Sequence, residues 1–334
     1  MPDVPPETAA VPPVSGAVRI AKQSAAAVAS LALLAAILYW LARKDMLDDI
    51  ASQLHAARMD WFSVATVFMM AFLFAAGVRL HLLAATLRGA ASRTGLLQSL
   101  AVLWLTVFVA NGAPVGLISD IAKIAAIRSK LDLSLGNSLR VVIYDRLWGL
   151  LGICCLGLVS ISFQATHVSD SVLIPQAVAY ACALLGFVVL AALHRFRLFR
   201  KWQRLDELSL LVTGFFRSWR SVGMLVAQAL IAVSSAALAG LVLYFLARAM
   251  SIDLQLSDAL IFAPIILFSA SIPIFYAGWG AREAVAIATL GTVPGVGVSG
   301  ALAISICYGA AYLIASLPGA VVWAFNPTMF IRKR

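Results

Sequence analysis

Asp120, Lys123, Asp145 and Arg146 stand inside a strongly apolar stretch, Asn111 to Gly149, and Arg282 and Glu283 stand inside another, Ser271 to Gly309. A charge placed in hydrocarbon costs about 3 kcal/mol on insertion scales, so such residues face a protein interior or a watery path and need a partner. Their chemistry is recognition by charge and hydrogen bond, of a polar ligand or of one helix by another. Asp145 and Arg146 are adjacent, about 100° apart on a helix, so each needs a separate partner. Asp120 and Lys123 are the nearest candidates in sequence. The four histidines (His55, His81, His167 and His194) have no carboxylate at metal-like spacing, and no nucleophile motif is present. No catalytic residue, metal or cofactor is expected. Cys154, Cys155, Cys182 and Cys307 have neither metal-ligand nor disulfide spacing and read as small residues packed among helices.

The two charged stretches share a plan. Each opens with a short apolar helix interrupted at a proline, Pro114 or Pro273, followed by glycine: Gly116 in one, Gly278 and Gly280 in the other. A charge cluster, a second short apolar segment, a polar or Gly-rich loop and a longer apolar span follow. Broken helices in matching positions of two halves are a pointer to a binding site in membrane transporters.

Composition fixes the class. Hydrophobic residues make up 62% and charged residues 12%, with mean hydropathy +0.96. Soluble domains are nearer half apolar and a quarter charged. The net charge of +10 reads as topology, with Lys and Arg on the cytoplasmic side. No basic soluble face suggests a nucleic-acid partner.

Residues 1–18, rich in Pro, Ala and Val, read as a disordered tail. Ser24 to Ala42 is a first span; charged residues 43–45, with no small-residue cleavage site, argue against a signal peptide. A short surface helix is expected within 43–60 and a second span over 61–87, where Arg79 is expected to snorkel to the interface. Leu96 to Ala110 and Ile118 to Ile127 are each shorter than the roughly 20 residues a span needs. They read as a re-entrant hairpin, residues 96–128, turning at Asn111 to Gly116, with Asp120 in the first turn of its second arm. Non-helical backbone at that depth must be buried in protein or line a cavity. A third span follows over 137–163 and a fourth over 173–193. The basic, aromatic segment Arg195 to Arg220 reads as a helix on an anionic leaflet. The fifth span is expected over 224–246, a second re-entrant hairpin over 257–291, and the sixth span over 300–325.

The resulting fold class is an all-α polytopic membrane protein. It has two inverted repeats, 19–163 and 164–334, with about six full spans and two re-entrant helical hairpins. Both termini, the loops with Arg88 and Arg93 and with Arg128 and Lys130, and the basic segment fall on the cytoplasmic side. The loops 164–172 and 292–299 contain no Lys or Arg and fall outside. The hairpins enter from opposite sides, so Asp120 and Arg282 are expected to face each other, or a shared lipid head, at mid-membrane.

Pro-x-Gly followed by Asp120, the segment YDRLWGLLG from Tyr144, and the segment GWGARE ending at Glu283 together resemble the transmembrane region of lysylphosphatidylglycerol synthases, a flippase-like family. The resemblance covers most of residues 20–325 and extends to a hopanoid-biosynthesis-associated branch. It implies movement of lipids between leaflets, with the family's acidic residue of the first hairpin at Asp120 and its arginine of the second at Arg282. Leu117, Ile118 and Ser119 stand where the family tends to have paired glycines. The expected function is a lipid translocase of the inner membrane that is not an enzyme, with Asp120, Lys123, Asp145, Arg146, Arg282 and Glu283 contacting the lipid head. Its expected partners are membrane lipids, with lipid-biosynthesis enzymes and a second copy of the chain as further candidates. A small-solute transporter and a non-catalytic scaffold for a biosynthetic enzyme are the alternatives.

Overall fold

Inside hydrocarbon a backbone must satisfy its own polar groups, and an isolated apolar segment can do so only as a helix. The computed structural model follows that rule. It describes residues 47–87, 95–112, 116–163, 170–195, 214–216, 221–270 and 280–325, and among them every regular element is helical. The helices are α1 (Leu47–His55), α2 (Met59–Leu87), α3 (Leu96–Gly112), α4 (Gly116–Lys130), α5 (Leu135–Phe163), α6 (Asp170–Arg195), α7 (Val222–Ala249), α8 (Leu256–Ala270), α9 (Ala281–Thr289), α10 (Gly297–Ser316) and α11 (Pro318–Phe325). Five stretches among the described residues are long and apolar enough to cross a membrane: α2, α5, α6, α7 and the α10–α11 run. The chain is a multi-pass all-α membrane protein.

The short helices are where the sequence placed the hairpins. α3 packs on α4 and α8 packs on α9. At 1.5 Å per residue, neither α3 nor α8 exceeds about 26 Å, less than the roughly 30 Å of a bilayer core. Three residues separate α3 from α4 and ten separate α8 from α9. Pro114, Pro273 and Gly278 lie in those intervals, outside the described residues, as do the tail 1–18, the span expected over 24–42 and most of the basic segment. Gly280 is described and does turn the chain: its φ is 87°, which a side chain would disfavour, and its N–H donates to Glu283 Oε2 at 2.6 Å at the start of α9.

Neighbour relations repeat between the halves. α2 packs on α3 as α7 packs on α8; α4 packs on α5 as α9 packs on α10; α2 touches α5 as α7 touches α10. Across the middle, α5 packs on α7 and α8, while α10 packs on α2 and α3. The pair α2 and α7, equivalent in this scheme, forms the largest helix contact and joins the halves. Trp61 and Phe68 on α2 stack on Phe245 of α7, with ring centroids 5.7 and 5.0 Å apart. Small residues bring other helices together. A Cβ on Gly152 of α5 would collide with the carbonyl of Ala232 on α7, so those backbones touch.

Four expectations change. α4 begins at Gly116, two residues before Ile118, so Asp120 is its fifth residue and lies beyond the first turn. The sixth span is broken into α10 and α11 because Pro318 supplies no N–H and starts a new helix. Phe215, expected on a surface helix, is buried among Tyr144, Trp148 and Phe187. Cys154 and Cys307 are buried, but Cys155 and Cys182 are exposed on outward faces.

Candidate functional site

Asp145 sits on α5 about 15 Å from the start of that helix at 1.5 Å per residue. Its two oxygens have separate partners. Arg79 on α2 donates Nε–H to Oδ1 at 2.6 Å, and Lys123 on α4 donates from Nζ to Oδ2 at 2.7 Å. The side chains of Arg79 and Asp145 are 10% and 9% exposed, so the snorkelling expected of Arg79 does not occur. A buried carboxylate eleven residues into α5 draws the guanidinium inward, because two opposite buried charges satisfy each other and either alone would be costly. One carboxylate thus ties three helices together.

Arg146, the next residue, points elsewhere. Its Nη2 donates to both oxygens of Asp120, at 2.8 and 2.6 Å. The adjacency of Asp145 and Arg146 required two partners on different sides, and α4 supplies both, Lys123 for one and Asp120 for the other. This outer pair is more open: the Arg146 side chain is 44% exposed and that of Asp120 23%.

Three of these charged residues, Arg79, Asp145 and Arg146, line a cavity of about 450 Å³ between the two halves, whereas Lys123 and Asp120 do not. α2 and α5 contribute Arg79, Asp145 and Arg146 together with Phe72, Gly149, Leu150 and Ile153; α7 and α8 contribute Ala232, Ser235, Ala236, Leu267 and Phe268. The cavity is amphipathic: ionic at the Arg79 end and apolar along the walls. Ser235 is its one uncharged polar side chain among these lining residues, and that hydroxyl donates to Ile231 O at 2.7 Å.

The second charge cluster is built differently. Arg282 Nη2 lies 2.6 Å from Glu283 Oε1, and Ser305 on α10 hydrogen-bonds both residues at 3.2 Å. The guanidinium also lies 5.7 Å from the ring centre of Tyr308. Glu283 has no exposed side-chain surface and Arg282 has 5%. Neither lines the cavity. The expected meeting of Asp120 with Arg282 is absent, because each finds an opposite charge close by, Asp120 on α5 and Arg282 on its own helix. Their shared feature is mechanical: in both halves the short helix after the break is pinned by polar bonds to the long helix that follows.

Asn111, the last turn residue before the first break, donates from Nδ2 to Ser316 Oγ at 3.0 Å, and Trp104 donates from Nε1 to Ala315 O at 3.1 Å. α3 is therefore fastened to the break between α10 and α11. Gly116 begins α4.

The sequence matches the family described as the lysylphosphatidylglycerol synthase transmembrane region over residues 27–319. The chain belongs to this family. No curated protein matches it. The match covers both charge clusters and every described transmembrane helix up to the start of α11, and it makes this lysylphosphatidylglycerol synthase-type transmembrane region a multi-pass membrane protein of a lipid-related family.

Proposed function

We propose that the protein binds a polar-headed membrane lipid and moves it between the leaflets of the inner membrane, as a carrier and not as an enzyme. The observation that carries this reading is the cavity with charges at one end and hydrocarbon walls along the rest. An amphiphile's head needs a polar path through the bilayer, while its chains are satisfied by apolar surface. The family's lipid association supports the same class of ligand. In the proposed arrangement both termini are cytoplasmic, both hairpins are re-entrant, and the ionic end of the cavity lies in the cytoplasmic half of the membrane. Arg79, Lys123 and Asp145 hold the helices in place, while Arg146, oriented by Asp120, meets the head. Arg282 and Glu283 fix the second hairpin against α10.

The test is head-labelled phospholipid in vesicles containing the purified protein, with a membrane-impermeant quencher reporting the outer leaflet. Protein-containing vesicles are expected to exchange label at least tenfold faster than empty ones, and Arg146→Gln is expected to remove most of the gain. Exchange no faster than in empty vesicles overturns translocation. Scaffolding of a biosynthetic enzyme would then account for the fold.

A further inference from the structure

We propose that the seam between α2 and α7 is a gate, hinged at its Arg58 end and parting at its Gln228 end, and that it admits the ligand of the cavity; this rests on the lipid-carrier reading above. The two helices follow one plan in opposite directions. Every buried position of α2 has a buried counterpart 163 residues later in α7, from Ala65 with Gln228 through Gly77 with Gly240 to Ala84 with Ala247. The packing beside them repeats as well. A Cβ on Gly77 would run into Leu100 of α3, and one on Gly240 into Leu260 of α8. The two ends of the seam therefore correspond residue for residue.

The ends are not equally held. At the Arg58 end, Phe245 stacks with both Trp61 and Phe68, and Arg58 N–H donates to Ala249 O at 2.8 Å. Stacked rings attract beyond the area they bury. At the other end the counterparts of Phe245, Trp61 and Phe68 are Leu82, Met224 and Ile231, none of them aromatic. Ser221 and Thr86, the counterparts of Arg58 and Ala249, share no backbone hydrogen bond.

Gln228 adds a bias towards parting. It is 2% exposed, and neither polar atom of its amide has a hydrogen-bond partner among the described residues. Its counterpart Ala65 carries only a methyl group. A buried amide without a partner destabilises the packed form, and water or a lipid head satisfies it once the helices part. The stacking of Phe245 on Trp61 and Phe68 brings Gln228 level with Leu82, within one turn of Arg79. Ala232, one turn further along α7, lines the cavity. Parting at this end thus leads to the ionic end of the cavity, while the aromatic end stays shut. Rocking of one repeat against the other is a motion that inverted repeats permit.

The experiment measures distances between paired nitroxide labels on the purified full-length protein in lipid nanodiscs, with Cys155 and Cys182 replaced by alanine. Leu87→Cys with Val222→Cys spans the gate end, and Met59→Cys with Ser251→Cys spans the hinge end. The gate pair is expected to give two distances and the hinge pair one. Gln228→Leu, which removes the amide and keeps the bulk, should leave only the shorter gate distance, raise the thermal midpoint and slow lipid exchange in vesicles at least fivefold. Phe245→Ala should add a second distance at the hinge pair. A single gate distance in the wild type overturns the gate. So does a lowered thermal midpoint for Gln228→Leu, which would mark the amide as a support of the packed form. Two gate distances together with lipid exchange no faster than in empty vesicles support the gate and overturn the carrier reading. Should Gln228→Leu fail to elute as a monodisperse species, Gln228→Met and the two wild-type label pairs decide.

Discussion

Asp145 and Asp120 are both paired carboxylates, yet their surroundings give them different weights. Asp145 is 9% exposed and balances two cations; Asp120 is 23% exposed and faces an arginine that is 44% exposed. Breaking a buried pair leaves an uncompensated charge and costs about 3–5 kcal/mol, whereas an open pair contributes about 1 kcal/mol or less. Asp145→Asn is therefore expected to lower the thermal midpoint sharply and reduce monodisperse yield, while Asp120→Asn leaves both close to wild type. Size-exclusion profiles after a heating series check it, and equal losses would contradict the ranking. The partners Lys123 and Asp120 were legible in the sequence because adjacent charges cannot share a partner on one helix face. Arg79 was not. An arginine near the end of an apolar run has an adequate explanation at the interface, and its true partner lies 66 residues away.

Among the elements, the break between α10 and α11 does more than end a helix. The last carbonyls of a helix lack donors, and at this break the indole of Trp104 supplies one to Ala315. A Cβ on Gly319 would run into the carbonyl of Trp104, so α11 lies directly against the backbone of α3. Gly319→Ala is expected to destabilise by about 1–3 kcal/mol through overpacking, whereas Gly186→Ala, with nothing near its added methyl, should be neutral or slightly stabilising. Thermal midpoints of the two variants check this, and a tolerant Gly319→Ala would show that the two helices can separate. The helices themselves were legible from hydropathy and length, within two or three residues at most ends. The cavity was not, because Phe72, Ala232, Ala236, Leu267 and Phe268 carry no chemical signal and come from three helices far apart in the sequence.

For the whole molecule, the repeated neighbour pattern and the uneven Lys and Arg distribution lead to one expectation of sidedness. With Cys155 and Cys182 replaced by alanine, Pro294→Cys should react with an impermeant maleimide added outside cells, as should Gln164→Cys. A cysteine placed after Arg334 should react only once the membrane is opened. The reverse pattern would invert the molecule and place the ionic end of the cavity in the outer leaflet. The recurring proline, glycine and charge order of the sequence has a counterpart in the repeated neighbour relations of the described helices. The joining of α2 and α7 was not legible, since apolar residues lie on every side of those two helices and mark no preferred face.

The Arg79–Asp145 bond also has a history in time. Translation adds about 5–20 residues each second, so Arg79 is made some 3–13 s before Asp145, 66 residues later. During that interval a guanidinium that ends up buried has no counter-ion. The nascent helix must wait at the lipid boundary or be sheltered by an insertase, and α5 then draws it to its final depth. α5 thus supplies the counter-ion that Arg79 of α2 lacks while the chain is being made.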